Sequence, residues 1–155
     1  MGFLGIETIH WHTLHPRFLS ERSRVIDLGA NVGWFARKMV RRFGCAVEAV
    51  EPSPDVCASM KVEGPMRKHQ LAIAPADGPV RFHVAEESRG SSMTHVPKDA
   101  LGVVEVEGMT LEAFVRRRLG WDGVDLVKMD IEGAEIDVLG GCPDAFLRSV
   151  GQFTI

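Results

Sequence analysis

Cysteine is scarce in this 155-residue chain, and the three present (Cys45, Cys57 and Cys142) are far apart and form no C-x-x-C pair. An odd, scattered set excludes a disulfide framework and makes a reducing compartment, the cytoplasm, the expectation. An excess of one charge is also lacking: 18 Lys and Arg stand against 21 Asp and Glu, a formal −3. No basic stretch is interleaved with aromatics, which argues against nucleic acid and anionic membranes as partners. There is no long apolar run. The N-terminus has no basic leader and Glu7 breaks its apolar stretch, so neither signal peptide nor membrane span is expected. Met1-Gly2 is followed at position 6 by Ile, where N-myristoylation wants Ser or Thr. Repeats and low-complexity segments are absent too, which leaves one domain large enough for a real core.

What is present is concentrated at residues 25–33, Val-Ile-Asp-Leu-Gly-Ala-Asn-Val-Gly. Val25–Leu28 reads as a buried parallel strand carrying one acid, and Gly29 and Gly33 punctuate a tight turn into a segment with helical spacing. Such a turn brings backbone N–H groups and a helix start up to a ligand. A dinucleotide fingerprint, G-x-G-x-x-G, would need glycines where Asn31 and Trp34 stand. Asp27 beside the turn repels a pyrophosphate and suits a cation. The ammonium and sulfonium of S-adenosylmethionine therefore fit the pattern better than NAD does. An ordinary strand–helix turn with no ligand is the plain reading of the same residues.

The remaining elements alternate, which predicts an α/β fold with a doubly wound, mainly parallel sheet. A helix is expected from Gly33 to Phe43, with Phe35, Met39 and Phe43 spaced by four and Gly44 closing it. Arg37, Lys38, Arg41 and Arg42 form its solvated face. Strands are expected at Ala46–Val50, Gln70–Ile73, Val80–Val84, Val103–Val106 and Val124–Met129, and helices at about Pro54–Lys61, Leu111–Leu119 (capped by Thr110) and Gly133–Leu139. Residues 1–23 form an N-terminal segment ahead of the domain at 24–155. Residues 151–155 read as a strand with no turn after it, which predicts a continuation in a longer protein, a covering partner chain being the alternative.

In open α/β sheets the carboxyl ends of the strands carry the chemistry. Glu51 ends the second strand about twenty residues past the glycine turn, the spacing at which an acid takes the ribose hydroxyls. In the second charged run, Lys128-Met129-Asp130-Ile131-Glu132-Gly133-Ala134-Glu135, period two puts Lys128 and Asp130 on one face of a strand. A lysine buried there needs an acid: Asp130, Glu132 and Glu135 are the candidates. Glu132 and Glu135 also suit a helix start with no further role.

These segments, with Val50-Glu51-Pro52-Ser53-Pro54 and Met109-Thr110-Leu111-Glu112, resemble in order and content the FkbM-type methyltransferases that use S-adenosylmethionine. The resemblance implies a Rossmann-like sheet of the class I methyltransferase type, with its last two strands following Ile155. It also implies methyl transfer to a hydroxyl of a sugar, polyketide or related small molecule. It implies that Asp27, Gly29, Asn31 and Gly33 surround the methionine part of the cofactor, that Glu51 holds the ribose, and that Ile73 with Ala72 and Ala74 lies near the adenine. Asp130 and Glu132 would be the catalytic acids facing methyl group and acceptor, with burial and their mutual proximity making Asp130 basic enough to take a proton. A non-catalytic cofactor-binding scaffold and an NAD-dependent oxidoreductase are the rival readings. His10, His12 and His15 have no acid or cysteine at ligand spacing, so no metal is expected, and the segment is expected to pack through Trp11 and Phe18. The Ser91-Ser92 loop matches a polar segment of the family, and His95 could reach an acceptor.

Overall fold

A computed structural model describes residues 5–85, 93 and 100–155, so Ser91, Ser92 and His95 lie outside the described residues. Five parallel strands form the central sheet: β3 (Arg24–Leu28), β4 (Ala46–Val50), β5 (Met66–His69), β9 (Val124–Met129) and β10 (Val150–Thr154), in the spatial order β10-β9-β3-β4-β5. The chain starts at the central β3, runs outward through β4 and β5, and returns to the other side of β3 with β9. The strand order therefore reverses between β3 and β9, which is where open α/β sheets bind ligands. The fold is the expected mainly parallel α/β sheet with helices on both faces, consistent with a Rossmann-like methyltransferase.

Period two sorts each strand's side chains. Val25, Val47 and Leu126 point to a layer formed by helix α1 (Trp34–Phe43), through Phe35 and Met39. Ile26, Leu28, Val127 and Met129 point to the opposite layer, through Leu111, Phe114, Val138 and Phe146. Those come from α3 (Leu111–Ala113) and the turn that continues it at Phe114, from α4 (Glu135–Gly140) and from α5 (Asp144–Leu147). The expected helix over Leu111–Leu119 is capped by Thr110, whose hydroxyl accepts from Ala113 N, but it continues as a π-helical turn at Phe114–Arg118 with Leu119 N donating to Phe114 O. Helix α2 (Pro54–Ser59) stops two residues before the expected Lys61.

The third strand of the parallel sheet differs from the sequence expectation. It is Met66–His69, whereas Ala72–Ile73 (β6) pairs with a separate, mixed sheet made by β7 (Gly78–Ala85) and β8 (Ala100–Met109). Met-Arg-Lys-His hides its strand nature because it is an edge whose charges are consumed locally. Arg67 pairs with Glu48 on β4, and Lys68 Nζ donates to the carbonyls of Cys57, Ala58 and Met60 at the end of α2. Leu71–Ala74, fully buried, read as the stronger strand from composition alone. The Val80–Val84 and Val103–Val106 strands are both present and longer than expected, paired as an antiparallel ribbon.

The N-terminal segment is a hairpin, β1 (Glu7–Ile9) and β2 (His12–Leu14), joined by a two-residue turn at His10-Trp11. It packs through Ile9, Leu14 and Leu19 against the α1 layer. The expected anchors do not serve: Trp11 is 86% exposed and Phe18 is also exposed. Alternation about the turn, rather than aromatic content, decides which residues go inward. All three cysteines are unpaired thiols, and burial pushes Cys45 up to about 11. Among the described residues no helix is long and apolar enough to cross a membrane.

Candidate active site

The carboxyl ends of β3 and β9 meet at one backbone contact. Asp130 N donates to Leu28 O (3.1 Å), and Gly29, at φ +68°, lies so close that a Cβ there would stand 1.8 Å from Asp130 O. Only glycine fits, for both reasons. Past it, Asn31 also takes a left-handed conformation (φ +51°) and accepts from Val32 N through its own Oδ1 (2.8 Å). Gly33 (φ +78°) starts α1, and a Cβ there would meet Met60 Cγ at 2.9 Å.

Glu51, from β4, fastens this turn. Its Oε2 accepts from Asn31 N and its Oε1 from Ser53 N, both at 2.9 Å. Burial pushes the carboxyl above its ordinary value, and the two backbone N–H groups partly restrain the shift. The loop after β9 is fastened the same way by Glu135, whose two oxygens accept from Ile131 N (2.8 Å) and Gly133 N (3.0 Å). Within that loop Glu132 sits at φ +56°.

Asp27 is fully buried and faces α1, accepting from Ala36 N at 3.2 Å. Directly across the ladder, Lys128 brings its Nζ to 3.0 Å from Asp27 Oδ1 and donates to the carbonyls of Leu28 (3.1 Å) and Gly29 (2.9 Å). The approach to Asp27 is an ion pair rather than an aligned hydrogen bond, since that oxygen has no hydrogen-bond partner of suitable angle. The acid that the buried lysine needs is therefore Asp27, not Glu132 or Glu135. Asp130 Oδ2 is 4.0 Å from the same ammonium.

A cavity of about 640 Å³ opens over these ends. Gly29, Asn31, Glu51, Ile73, Lys128, Asp130 and Glu132 line it; Asp27, Gly33 and Glu135 do not. Of the residues expected around a ligand, Asp27 and Gly33 thus act from behind the wall, one by holding Lys128 and the other by seating α1 on Met60. Among the described lining residues three carboxylates (Glu51, Asp130, Glu132) face one ammonium, an acidic balance although Asp27 is neutralised. Apolar residues, among them Val50, Leu71, Ala72, Ile73, Phe82 and Met93, also line the cavity. Asp130 does not match the expected burial: its side chain is 59% exposed, with Lys128 Nζ and His12 Nε2 each 4.0 Å from Oδ2.

The hairpin tip supplies residues that sequence reasoning missed. His10, Trp11 and His12 all line the cavity, and His12 Nε2 lies 4.0 Å from Asp130 Oδ2. Burial and the Lys128 charge hold the His12 imidazole below its ordinary value. The available signal was the alternation Ile9, His12, Leu14 around a two-residue turn, obscured because His10 and Trp11 are not the Asn-Gly that such turns favour. No described group of His, Cys, Asp and Glu could hold a metal ion.

Sheet order, the glycine turn at the point where that order reverses, and the cavity above it are consistent with the Rossmann-like fold of methyltransferases. Residues 27–155 match the FkbM methyltransferase domain, and the chain belongs to that family. It is 30% identical to the 2-O-methyltransferase NoeI of Sinorhizobium fredii over 81% of its own length, and spans about 59% of that relative. No solved structure matches the chain.

Proposed function

We propose that this chain binds S-adenosylmethionine in the cavity and methylates a hydroxyl of a small molecule carrying a sugar, polyketide or related natural-product skeleton. One observation carries the reading: a cavity at the β3–β9 reversal lined both by the carboxylates Glu51, Asp130 and Glu132 and by a set of apolar side chains. The carboxylates suit an ammonium and a sulfonium, and the apolar side chains suit an adenine. Gly29 and Asn31 would lie along the methionine part, Glu51 would take the ribose, and Ile73 would pack on the base. Each Glu51 oxygen spends one lone pair on a backbone N–H and keeps another for a hydroxyl. When bound, the cofactor supplies a methyl group on a sulfonium, so the carbon–sulfur bond breaks to a neutral thioether as the new carbon–oxygen bond forms.

What is left to the protein is alignment and one proton. Asp130, reaching into the cavity, accepts the proton of the acceptor hydroxyl, and Glu132 adds to the acidity of the wall. A 2-O-methyltransferase among the relatives supports a hydroxyl acceptor. The unpaired thiols fit a cytoplasmic site of action. Calorimetry with S-adenosylhomocysteine and with NADH tests the cofactor, and only the first should bind. Methyl-labelled cofactor offered with a panel of methyl glycosides tests the acceptor class. Asp130→Asn should abolish label transfer and leave S-adenosylhomocysteine affinity within severalfold; equal loss of both would sink the assignment.

A further inference from the structure

His12 lies in the hairpin, outside the family's matched region at residues 27–155. Its side chain nevertheless enters the cavity beside Asp130. We infer that His12 is a neutral hydrogen-bond donor that orients the acceptor hydroxyl through Nε2–H, while Asp130 receives the proton. The inference rests on the methyl-transfer reading above.

The gap between His12 Nε2 and Asp130 Oδ2, 4.0 Å, is too long for a direct hydrogen bond. An oxygen about 2.8 Å from each would bridge it, with the two bonds at roughly a right angle. A hydroxyl in that place gives its hydrogen to Asp130 and accepts from His12. Its third substituent is the acceptor's own carbon. Those three directions leave one lone pair, whose aim is then fixed. Orientation of this kind is what an in-line displacement requires of a protein.

The tautomer follows from burial. His12 is 8% exposed and its Nδ1 is buried with no hydrogen-bond partner. A proton at Nδ1 would be an unsatisfied buried donor, which folded proteins tolerate less than a bare lone pair. The single proton of the neutral ring therefore sits on Nε2, toward the cavity. A second proton would have to occupy Nδ1. Lys128 opposes it, with His10 on the same side of the balance, while Asp130 and Asp27 favour it less strongly than burial and Lys128 oppose it. His12 is thereby unsuited to act as the base, although histidine is the residue type most often used for that purpose.

The strained tip is consistent with this placement. His10 and Trp11 stand at φ +47° and +75°, a conformation that non-glycine residues rarely adopt. A two-residue turn keeps His12 in fixed register with Ile9 (its Cα partner), which is anchored in the core.

Long-range proton–nitrogen spectra of the uniformly labelled full chain, with the His12 signals assigned by their loss in His12→Gln, read the tautomer directly. A neutral Nε2–H ring at pH 7, with and without S-adenosylhomocysteine, is the expected result; an Nδ1–H ring or an imidazolium overturns the inference. On whichever glycoside takes label, His12→Leu should lower turnover about 100-fold at unchanged S-adenosylhomocysteine affinity. His12→Gln, whose amide can still donate, should recover to within about tenfold of the parent. Equal loss in the two variants overturns the donor role, provided circular dichroism shows both folded. Failure to bind S-adenosylhomocysteine refutes the cofactor reading alone, because the tautomer of the unliganded chain still judges His12.

Discussion

The loops that follow β3 and β9 are built alike and end differently. Each turns a parallel strand into a helix, each holds a non-glycine residue in a left-handed conformation, and each is fastened by a carboxylate. The fastening runs through Ile131 N and Gly133 N in the loop after β9. It runs through Asn31 N in the loop after β3, where the other Glu51 oxygen accepts from Ser53 N in its own segment. In the loop after β9 the carboxylate belongs to the helix that follows, and Glu135 stays out of the cavity wall. In the loop after β3 it comes from the neighbouring strand, and Glu51 lines the cavity. The comparison shows how one device yields two outcomes. A carboxylate from the same segment only shapes its loop, while one borrowed from across the sheet shapes the loop and also faces whatever binds above it.

Locking the two loops together is the step most vulnerable to change. Gly29→Ala forces a Cβ into the Asp130 carbonyl and a side chain into a left-handed conformation, and should cost about 2–5 kcal/mol in urea denaturation. A loss under 1 kcal/mol would mean that the β3–β9 ends are not in contact. The paired variants Glu51→Gln and Glu135→Gln separate the two outcomes. Each turns one acceptor oxygen into an amide facing a backbone N–H, a loss of about 1–3 kcal/mol. Only Glu51→Gln should also weaken S-adenosylhomocysteine, by tenfold or more in calorimetry; a matching loss in Glu135→Gln would erase the distinction.

The smallest effect concerns a second buried acid of β4. Burial pushes Glu48 up, but hydrogen bonds from His69 and Arg67 more than offset it, and the net direction is downward. A depressed carboxyl stabilises the fold above its unfolded value and loses that contribution as pH falls through the folded one. Denaturation curves should therefore show the parent losing more stability than Glu48→Gln between about pH 5 and pH 3. Glu51 runs the other way: its raised value means a contribution present in acid and lost as pH climbs through it. Parallel pH curves for Glu48→Gln and Glu51→Gln would contradict this opposition.

Local patterns made much of this legible. Val124–Met129 and Ala46–Val50 are buried on both faces, so their composition alone announces them, and the glycine turn shows its own geometry in Gly29 and Gly33. Edge strand Met66–His69 escaped because its charges are neutralised by Glu48 and by α2, partners a linear pattern does not reveal. Asp27 could be read as a ligand-facing acid only until its register opposite Lys128 was known. His12 was illegible for a similar reason, since it reaches Asp130 across 117 intervening positions through a hairpin whose turn lacks the usual residues.

The hydrogen bond from Asp130 N to Leu28 O also has a temporal meaning. It closes a loop of roughly a hundred residues, an entropic charge of about 4 kcal/mol that must be met before the contact returns anything. Neighbouring strands β3 and β4 can pair early, so the outward half of the sheet can assemble while Gly29 still lacks its opposing carbonyl. The turn beneath the cavity thus stiffens only when β9 arrives, making the heart of the molecule one of the last places to set.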